Sequence, residues 1–299
     1  MNESAVAGAP FEDRYFTVRD GLKLHYRDYA GSKDKPPLLC LHGLTRNARD
    51  WDEFARRRSP NFRVLVLEFR GRGSSEYDPD PSRYNPLTYA SDVIELLDQL
   101  QIPQAVFVGT SLGGLVTMTI AASTPQRIFA TILNDIGPDV DPGGVERILT
   151  YVGKDMRFNN WEAAASAIAA NYGASFERYT AEDWVKMAKR NCREENGEII
   201  FDYDMAIAQP FRTSGPTPHV DLWPFFKILA QKPLLVVRGA KSDLLTSETA
   251  AKMQAVAPNM MLAVVAGVGH APELNEPEAV AAIGEFLASL STPAEQRSQ

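Results

Sequence analysis

The chain has few of the features that mark secreted, metal-binding or membrane proteins. Only two of its 299 residues, Cys40 and Cys192, are cysteine, and they suggest neither a disulfide framework nor a metal site. No apolar run approaches the roughly 20 residues that a membrane-spanning helix needs. The first ten residues contain no basic segment followed by a long apolar one, so no secretory signal peptide is predicted. We therefore expect a cytoplasmic protein that binds no metal and no membrane.

An excess of positive charge is also missing. The 31 Lys and Arg residues are outnumbered by 38 Asp and Glu residues, which gives a formal net charge of −7. A nucleic-acid partner would favour a basic face, so none is expected. The remaining composition, with 44% hydrophobic and 23% charged residues, is ordinary for a globular protein. A chain of this length can form one large α/β domain or two smaller ones.

Short apolar runs alternate with helical patterns through most of the chain. The continuous apolar runs are 37–41, 64–67, 105–108, 130–133, 234–237 and 262–265. Such runs are typical of parallel strands that are buried on both faces. Helical patterns occur at 89–100, 248–257 and 278–290. The alternation predicts an α/β fold with a doubly wound, mostly parallel sheet. The pair Asp20-Gly21 predicts an antiparallel hairpin ahead of it.

The alternation is interrupted in the second half of the chain. Between Gly137 and Lys232 no buried strand is predicted, and the segment contains aromatic-rich helical patterns after a cluster of turn residues. It is too long to be a loop. We therefore predict a core formed by residues 11–137 and 228–291, with residues 138–227 inserted as a helical cap.

Residues 109–113, with the sequence Gly-Thr-Ser-Leu-Gly, lie between the apolar run 105–108 and a helical segment, 114–122. A strand, a tight turn of the form Gly-x-Ser-x-Gly and a helix make up a nucleophile elbow. The glycines leave room for the strained turn, and the helix N-terminus offers free N–H groups to a developing anion. Ser111 is therefore the predicted nucleophile.

A serine hydroxyl needs a base that accepts its proton and a carboxylate that orients this base. His270 follows the last apolar run, so we expect it at the carboxyl edge of the sheet, where folds of this kind bind ligands. Asp243 also follows an apolar run, and the chain order Ser111, Asp243, His270 is typical of hydrolases with this elbow. Asp243 is therefore the predicted acid. Asp135 is the competing candidate, although a turn-stabilising role is the favoured interpretation for it.

The oxyanion of the reaction needs two preorganised N–H donors. Leu112 directly follows the nucleophile, and Leu44 lies in the loop after the run 37–41. Their backbone N–H groups are the predicted donors. His42, in the same loop, is expected to hold the turn through hydrogen bonds to the backbone rather than to act in catalysis.

The other polar candidates are expected to be structural. His25 is predicted to be a strand residue without a catalytic role, and Arg212 and His219 of the predicted cap are expected at the surface. The aromatic residues of the cap suggest a mostly apolar pocket for a small or medium acyl group.

Together these segments resemble the α/β-hydrolase superfamily, in its serine-nucleophile branch with a helical cap, which includes carboxylesterases and enol-lactonases. The resemblance covers roughly residues 16–290. The motifs that carry it are His42-Gly43, the loop 70–74 with the sequence Arg-Gly-Arg-Gly-Ser, residues 109–114, and the loops of Asp243 and His270. It implies an eight-stranded, mostly parallel sheet and neither a metal nor an organic cofactor.

The chain departs from the pattern of the superfamily around the loop 70–74. Glu68 and Arg72 stand where many members have aspartate and histidine. Because this loop serves as a scaffold rather than in the chemistry, the departure does not affect the predicted triad.

The type of nucleophile limits the reactions that the chain is expected to catalyse. Members of the superfamily that open epoxides or dehalogenate alkanes use aspartate rather than serine. Carbon–carbon bond hydrolases use serine but usually have an aromatic residue after the base, where this chain has Ala271. The main prediction is therefore the hydrolysis of a carboxylic ester or lactone of a small to medium apolar substrate through an acyl-enzyme.

Other functions stay open at this stage. A carbon–carbon bond hydrolase and a cofactor-free perhydrolase or oxygenase are the alternatives. A non-catalytic receptor is disfavoured because the chain retains a nucleophile, a base and an acid. The expected partner is a small-molecule substrate, and the chain can be a monomer or a homodimer.

Overall fold

The computed structural model describes residues 11–213 and 220–290. Within these ranges the strands are β1 (Phe11–Thr17), β2 (Lys23–Tyr29), β3 (Leu38–Leu41), β4 (Val64–Leu67), β5 (Ala105–Thr110), β6 (Ile128–Asn134), β7 (Arg157–Phe158), β8 (Cys192–Glu195), β9 (Glu198–Phe201), β10 (Leu234–Gly239) and β11 (Met261–Val265). The α-helices are α1 (Asp52–Arg58), α2 (Pro86–Gln99), α3 (Leu112–Ser123), α4 (Pro142–Leu149), α5 (Trp161–Tyr172), α6 (Ala181–Asn191), α7 (Gln209–Thr213), α8 (Trp223–Leu229), α9 (Ser247–Val256) and α10 (Pro277–Ser289).

Eight strands form one mostly parallel sheet, as predicted. Their order is β1-β2-β4-β3-β5-β6-β10-β11. The strands from β4 to β11 pair in parallel, whereas β2 is antiparallel to both β1 and β4. The predicted hairpin is present, because β1 and β2 flank Asp20-Gly21 and Gly21 has a positive φ of 90°. The parallel pairing brings the carboxyl ends of β3, β5, β6 and β10 to one edge.

Helices cover both faces of the sheet, which explains the continuous apolar runs. In β3, Leu39 and Leu41 belong to the core on the side of α2, α3 and α8, whereas Leu38 and Cys40 belong to the core on the side of α1 and α10. Successive side chains of a strand point to opposite faces, so both faces must be apolar. No helix within the described ranges is both long and apolar enough to cross a membrane.

The segment between β6 and β10 contains strands as well as the predicted helices. Besides helices α4–α8 it contains a three-stranded antiparallel sheet of order β7-β9-β8. These strands have only two to four residues, too few for a periodic pattern. One local signal was present, because Asn196-Gly197 joins β8 to β9 with positive φ at both residues, as two-residue hairpin turns require.

The predicted end of the cap, at residue 227, falls inside helix α8. This helix packs against α3 and contributes Phe226 and Leu229 to the main core. The segment that leaves the sheet layers therefore ends before Trp223. We refer to residues 138–222 as the insert.

Candidate active site

Ser111 lies at a sharp turn between β5 and α3. Its backbone has φ 52° and ψ −114°, and its N–H donates a 3.0 Å hydrogen bond to the carbonyl of Asn134. The flanking glycines permit this turn, because a Cβ at Gly113 would overlap the carbonyl oxygen of Leu41 and one at Gly109 would overlap the backbone of Gly113. Strand, turn and helix thus have the geometry predicted for a nucleophile elbow.

His270 connects Ser111 to a carboxylate. Its Nε2 lies 2.9 Å from Oγ of Ser111, and its Nδ1 lies 2.8 Å from Oδ2 of Asp135. With its proton on Nδ1, the ring donates a hydrogen bond to the carboxylate of Asp135, and Nε2 is free to accept one from the hydroxyl of Ser111. The side-chain amide of Asn134 donates to the carbonyl of Pro272 and so fastens the His270 loop to the end of β6.

Asp135 is held firmly at the end of β6. The residue is fully buried and has a positive φ of 55°. Its N–H donates to the carbonyl of Val237, and its Oδ1 accepts from the N–H of Gly239, each at 2.8 Å. Both bonds go to β10, so the neighbouring strand fixes the carboxylate that faces His270.

The prediction that Asp243 orients His270 is not supported by this geometry. The carboxylate of Asp243 forms two hydrogen bonds with Arg147 of α4, and its side chain is 39% exposed. Partial burial alone would raise the pKa of Asp243, but the bonds from Arg147 lower it below the ordinary value. Asp243 lies four residues beyond the end of β10 and is carried outward to α4.

The order of strands in the sheet explains the difference. β6 is the direct neighbour of β5, which leads into Ser111, whereas β10 lies one strand further away. An acid at the end of β6 therefore lies closer to Ser111 than one at the end of β10. The chain order Ser…Asp…His is satisfied by Asp135 and by Asp243 alike, so it could not distinguish them.

Two backbone N–H groups are available beside Ser111. The N–H of Leu112 is the first of α3, where no partner exists within a helix. Among the described residues, neither this N–H nor that of Leu44 has a hydrogen-bond acceptor. These are the two donors expected from the sequence for an oxyanion.

The two peptides that flank Leu44 are each held by a side chain. Nε2 of His42 accepts from the N–H of Phe69 at 3.1 Å, so the ring proton is on Nδ1 and donates to the carbonyl of Gly43 at 2.7 Å. Nε of Arg72 donates to the carbonyl of Leu44 at 3.0 Å. In a trans peptide the N–H points away from the C=O, so fixing the Gly43 carbonyl aims the N–H of Leu44. The departure at Arg72 thus contributes to the scaffold of the site.

Three residues singled out in the sequence lie elsewhere. His25 is a buried residue of β2 that pairs with Glu68 and not with the site. Arg212 donates to the carbonyl of Val152 and does not line the cleft described below. His219 lies outside the described residues.

A cleft lies over Ser111 and His270. Its empty volume, including the solvent at its mouth, is about 880 Å³. The insert supplies one side of it, with Tyr151 and Tyr172 joined by a 2.6 Å hydrogen bond between their hydroxyls. Further insert residues on this side are Ile148, Phe176 and Met187. The insert therefore bounds the space in which a substrate would meet Ser111.

The cleft is less apolar than the sequence suggested. Arg46, Asp50, Arg190 and Glu273 also line it, and we call these four side chains the charged wall. These residues could not be singled out from the sequence, because they come from three distant parts of the chain and share no motif.

Residues 38–283 match the α/β hydrolase family. The chain belongs to this family. A 3-hydroxybutyrate-oligomer hydrolase of Cupriavidus necator is 35% identical to it over 273 residues, which cover 89% of this chain and 92% of that protein. A 2-(acetamidomethylene)succinate hydrolase of Mesorhizobium japonicum is 27% identical over 84% of this chain and 88% of that protein. The crystal structure of an α/β hydrolase from Novosphingobium aromaticivorans superposes with a TM-score of 0.90 at 50% identity, covering 94% of this chain and 99% of that one.

The burial of His42 makes the stability of this α/β hydrolase sensitive to acid. Burial lowers the pKa of His42 from 6.5 to about 4. The unfolded chain therefore binds more protons between these values, so the stability contributed by a neutral His42 is complete above pH 6.5 and is lost as the pH falls through about 4. We expect this residue alone to reduce the free energy of unfolding by about 3 kcal/mol across that window.

Urea unfolding of the hydrolase and of its His42→Asn variant, at pH values between about 7 and about 4, measures this effect. The wild type should lose stability more steeply with acid than the variant. Parallel curves for the two proteins would contradict the assignment.

Proposed function

We propose that this α/β hydrolase cleaves carboxylic esters through an acyl-enzyme on Ser111, with His270 as the base and Asp135 as the acid. The observation that carries the proposal is the continuous hydrogen-bonded chain from Oγ of Ser111 through both ring nitrogens of His270 to Asp135. Ser111 and His270 line a cleft, where a substrate can reach the serine, and Asp135 lies buried behind His270.

In the proposed reaction, Oγ of Ser111 attacks the ester carbonyl while Nε2 of His270 takes the hydroxyl proton. The N–H groups of Leu44 and Leu112 donate to the oxyanion of the tetrahedral intermediate. The imidazolium, stabilised by Asp135, then protonates the departing alcohol. A water molecule, deprotonated by His270, hydrolyses the acyl-enzyme and restores the serine.

The relatives support a proposal about which class of ester is the substrate. The Cupriavidus necator protein is named for 3-hydroxybutyrate oligomers, which are linear esters of a short hydroxy acid. We therefore favour linear esters of short acyl groups over lactones, and we propose that the insert serves as the cap that selects them.

Turnover of p-nitrophenyl acetate, butyrate and octanoate tests the proposal, with Ser111→Ala as the control. We expect hydrolysis of the short esters that disappears in the variant. A fluorophosphonate should label wild-type protein at Ser111 and stop turnover with one label per chain. Absence of both turnover and labelling in folded wild-type protein would overturn the proposal.

A further inference from the structure

The charged wall is a compact network inside the cleft. Arg46 donates to Asp50 from Nε and Nη2, at 2.5 and 2.7 Å. Nε of Arg190 lies 3.8 Å from the same carboxylate, and its Nη2 donates to Glu273. The four side chains are between 20% and 23% exposed. Because they line the cleft, a substrate can meet this remaining surface.

The network has more donors than acceptors. Two guanidinium groups offer ten N–H bonds, and both oxygens of Asp50 are already occupied. Among the described residues, Nη1 of Arg46 and Nη1 of Arg190 have no acceptor, and neither atom is completely enclosed. An acceptor-rich group therefore complements this side of the cleft.

Arg46 lies directly beside the nucleophile. An ideal Cβ at Gly43 would be 3.3 Å from Cγ of Arg46 and 3.9 Å from Cβ of Ser111. The two side chains thus flank one small residue of the oxyanion loop, and any larger residue there would separate them. Arg46 and Ser111 line the same cleft, so an ester held at Ser111 can extend toward Arg46.

We propose that the charged wall binds a free carboxylate on the alcohol half of the substrate, with Arg46 as its main ligand and Arg190 as the second. The inference rests on the proposed ester hydrolysis at Ser111. A guanidinium presents paired N–H donors that match a carboxylate. Asp50 occupies Nε and Nη2 of Arg46, so the substrate carboxylate would bind Arg46 through Nη1 and would compete with Glu273 for Arg190.

This assignment agrees with the chemistry of a 3-hydroxy acid ester. In such a molecule the carboxylate is two carbons away from the ester oxygen, on the group that leaves. Its binding orients the leaving oxygen toward His270 and distinguishes the last ester of an oligomer, next to the free acid, from internal ones. The enzyme would then release one hydroxy acid at a time from the carboxylate end.

The test compares 3-acetoxybutyrate with its primary amide, which has the same shape but no charge. Acetate release gives kcat/KM for both. The wild type should prefer the acid at least tenfold. In Arg46→Gln the ratio should fall tenfold or more toward one, since the variant loses a charged hydrogen bond to the carboxylate. Arg56→Gln, on the exposed side of α1, is the matched control and should keep the wild-type ratio.

The doubly substituted Arg46→Gln/Asp50→Asn protein is the control for a folding defect in the single variant. It removes the cation without leaving the Asp50 carboxylate unpaired. It should show the same loss of preference, and thermal unfolding should report a folded protein. Equal rates for acid and amide in an active wild type would overturn the carboxylate site and leave the esterase intact. A folded wild type that hydrolyses neither 3-acetoxybutyrate, nor its amide, nor p-nitrophenyl acetate would overturn both proposals.

Discussion

Asp135→Asn should lower kcat for ester hydrolysis by roughly 10⁴-fold, as expected when a triad histidine is held in the wrong tautomer. The carbonyl oxygen of the new amide would keep the bond from the N–H of Gly239, so its NH₂ group would face His270. Nδ1 must then accept, the ring proton moves to Nε2, and His270 can no longer take the proton of Ser111. KM should change little, because Asp135 is buried and away from the substrate.

Asp243→Asn is the matched comparison, with the same change of one oxygen to an amide. Because Asp243 is bonded to Arg147, we expect kcat to fall less than tenfold. Burst kinetics with p-nitrophenyl acetate would localise the loss in Asp135→Asn to the chemical steps. A loss of several orders of magnitude in Asp243→Asn with near-normal activity in Asp135→Asn would return the acid to the position predicted from the sequence.

Arg70→Met should reduce the free energy of unfolding by about 3–5 kcal/mol near neutral pH, because it would leave buried carboxylates without their cation. The side chain of Arg70 is 1% exposed and donates to Asp92 at 2.6 and 2.8 Å, to Asp78 at 2.5 Å and to Asp20 at 2.8 Å. Asp78 and Asp92 are themselves buried. Methionine fills a similar volume, so the loss of stability would result from removing the positive charge rather than from creating a cavity.

Urea unfolding at several pH values measures this loss. The deficit of Arg70→Met relative to the wild type should shrink in mild acid, because protonation neutralises the unpaired carboxylates. Adding Asp92→Asn to the variant should recover part of the stability, since the two residues are in contact. A variant as stable as the wild type at neutral pH would mean that the network contributes little to the fold.

Features encoded in short stretches were predictable from the sequence. The strand runs, the elbow at Ser111 and the loop of His270 each depend on a few consecutive residues, and the fold confirms the sheet. The choice between Asp135 and Asp243 depends instead on which strands are neighbours in the sheet, which no local pattern contains. The charged wall could not be predicted for the same reason, because Arg46 and Arg190 meet only after the insert has folded over the sheet.

The separation of Ser111 and His270 along the chain has a consequence for biosynthesis. His270 lies 159 positions after Ser111, in the loop between β11 and α10, and α10 packs against β11. A growing chain emerging from the ribosome would carry the proposed nucleophile long before the histidine proposed to activate it. The proposed hydrolysis would begin only when β11 and α10 have docked. In a refolding experiment, the rate at which activity returns would report the completion of the fold rather than its early collapse.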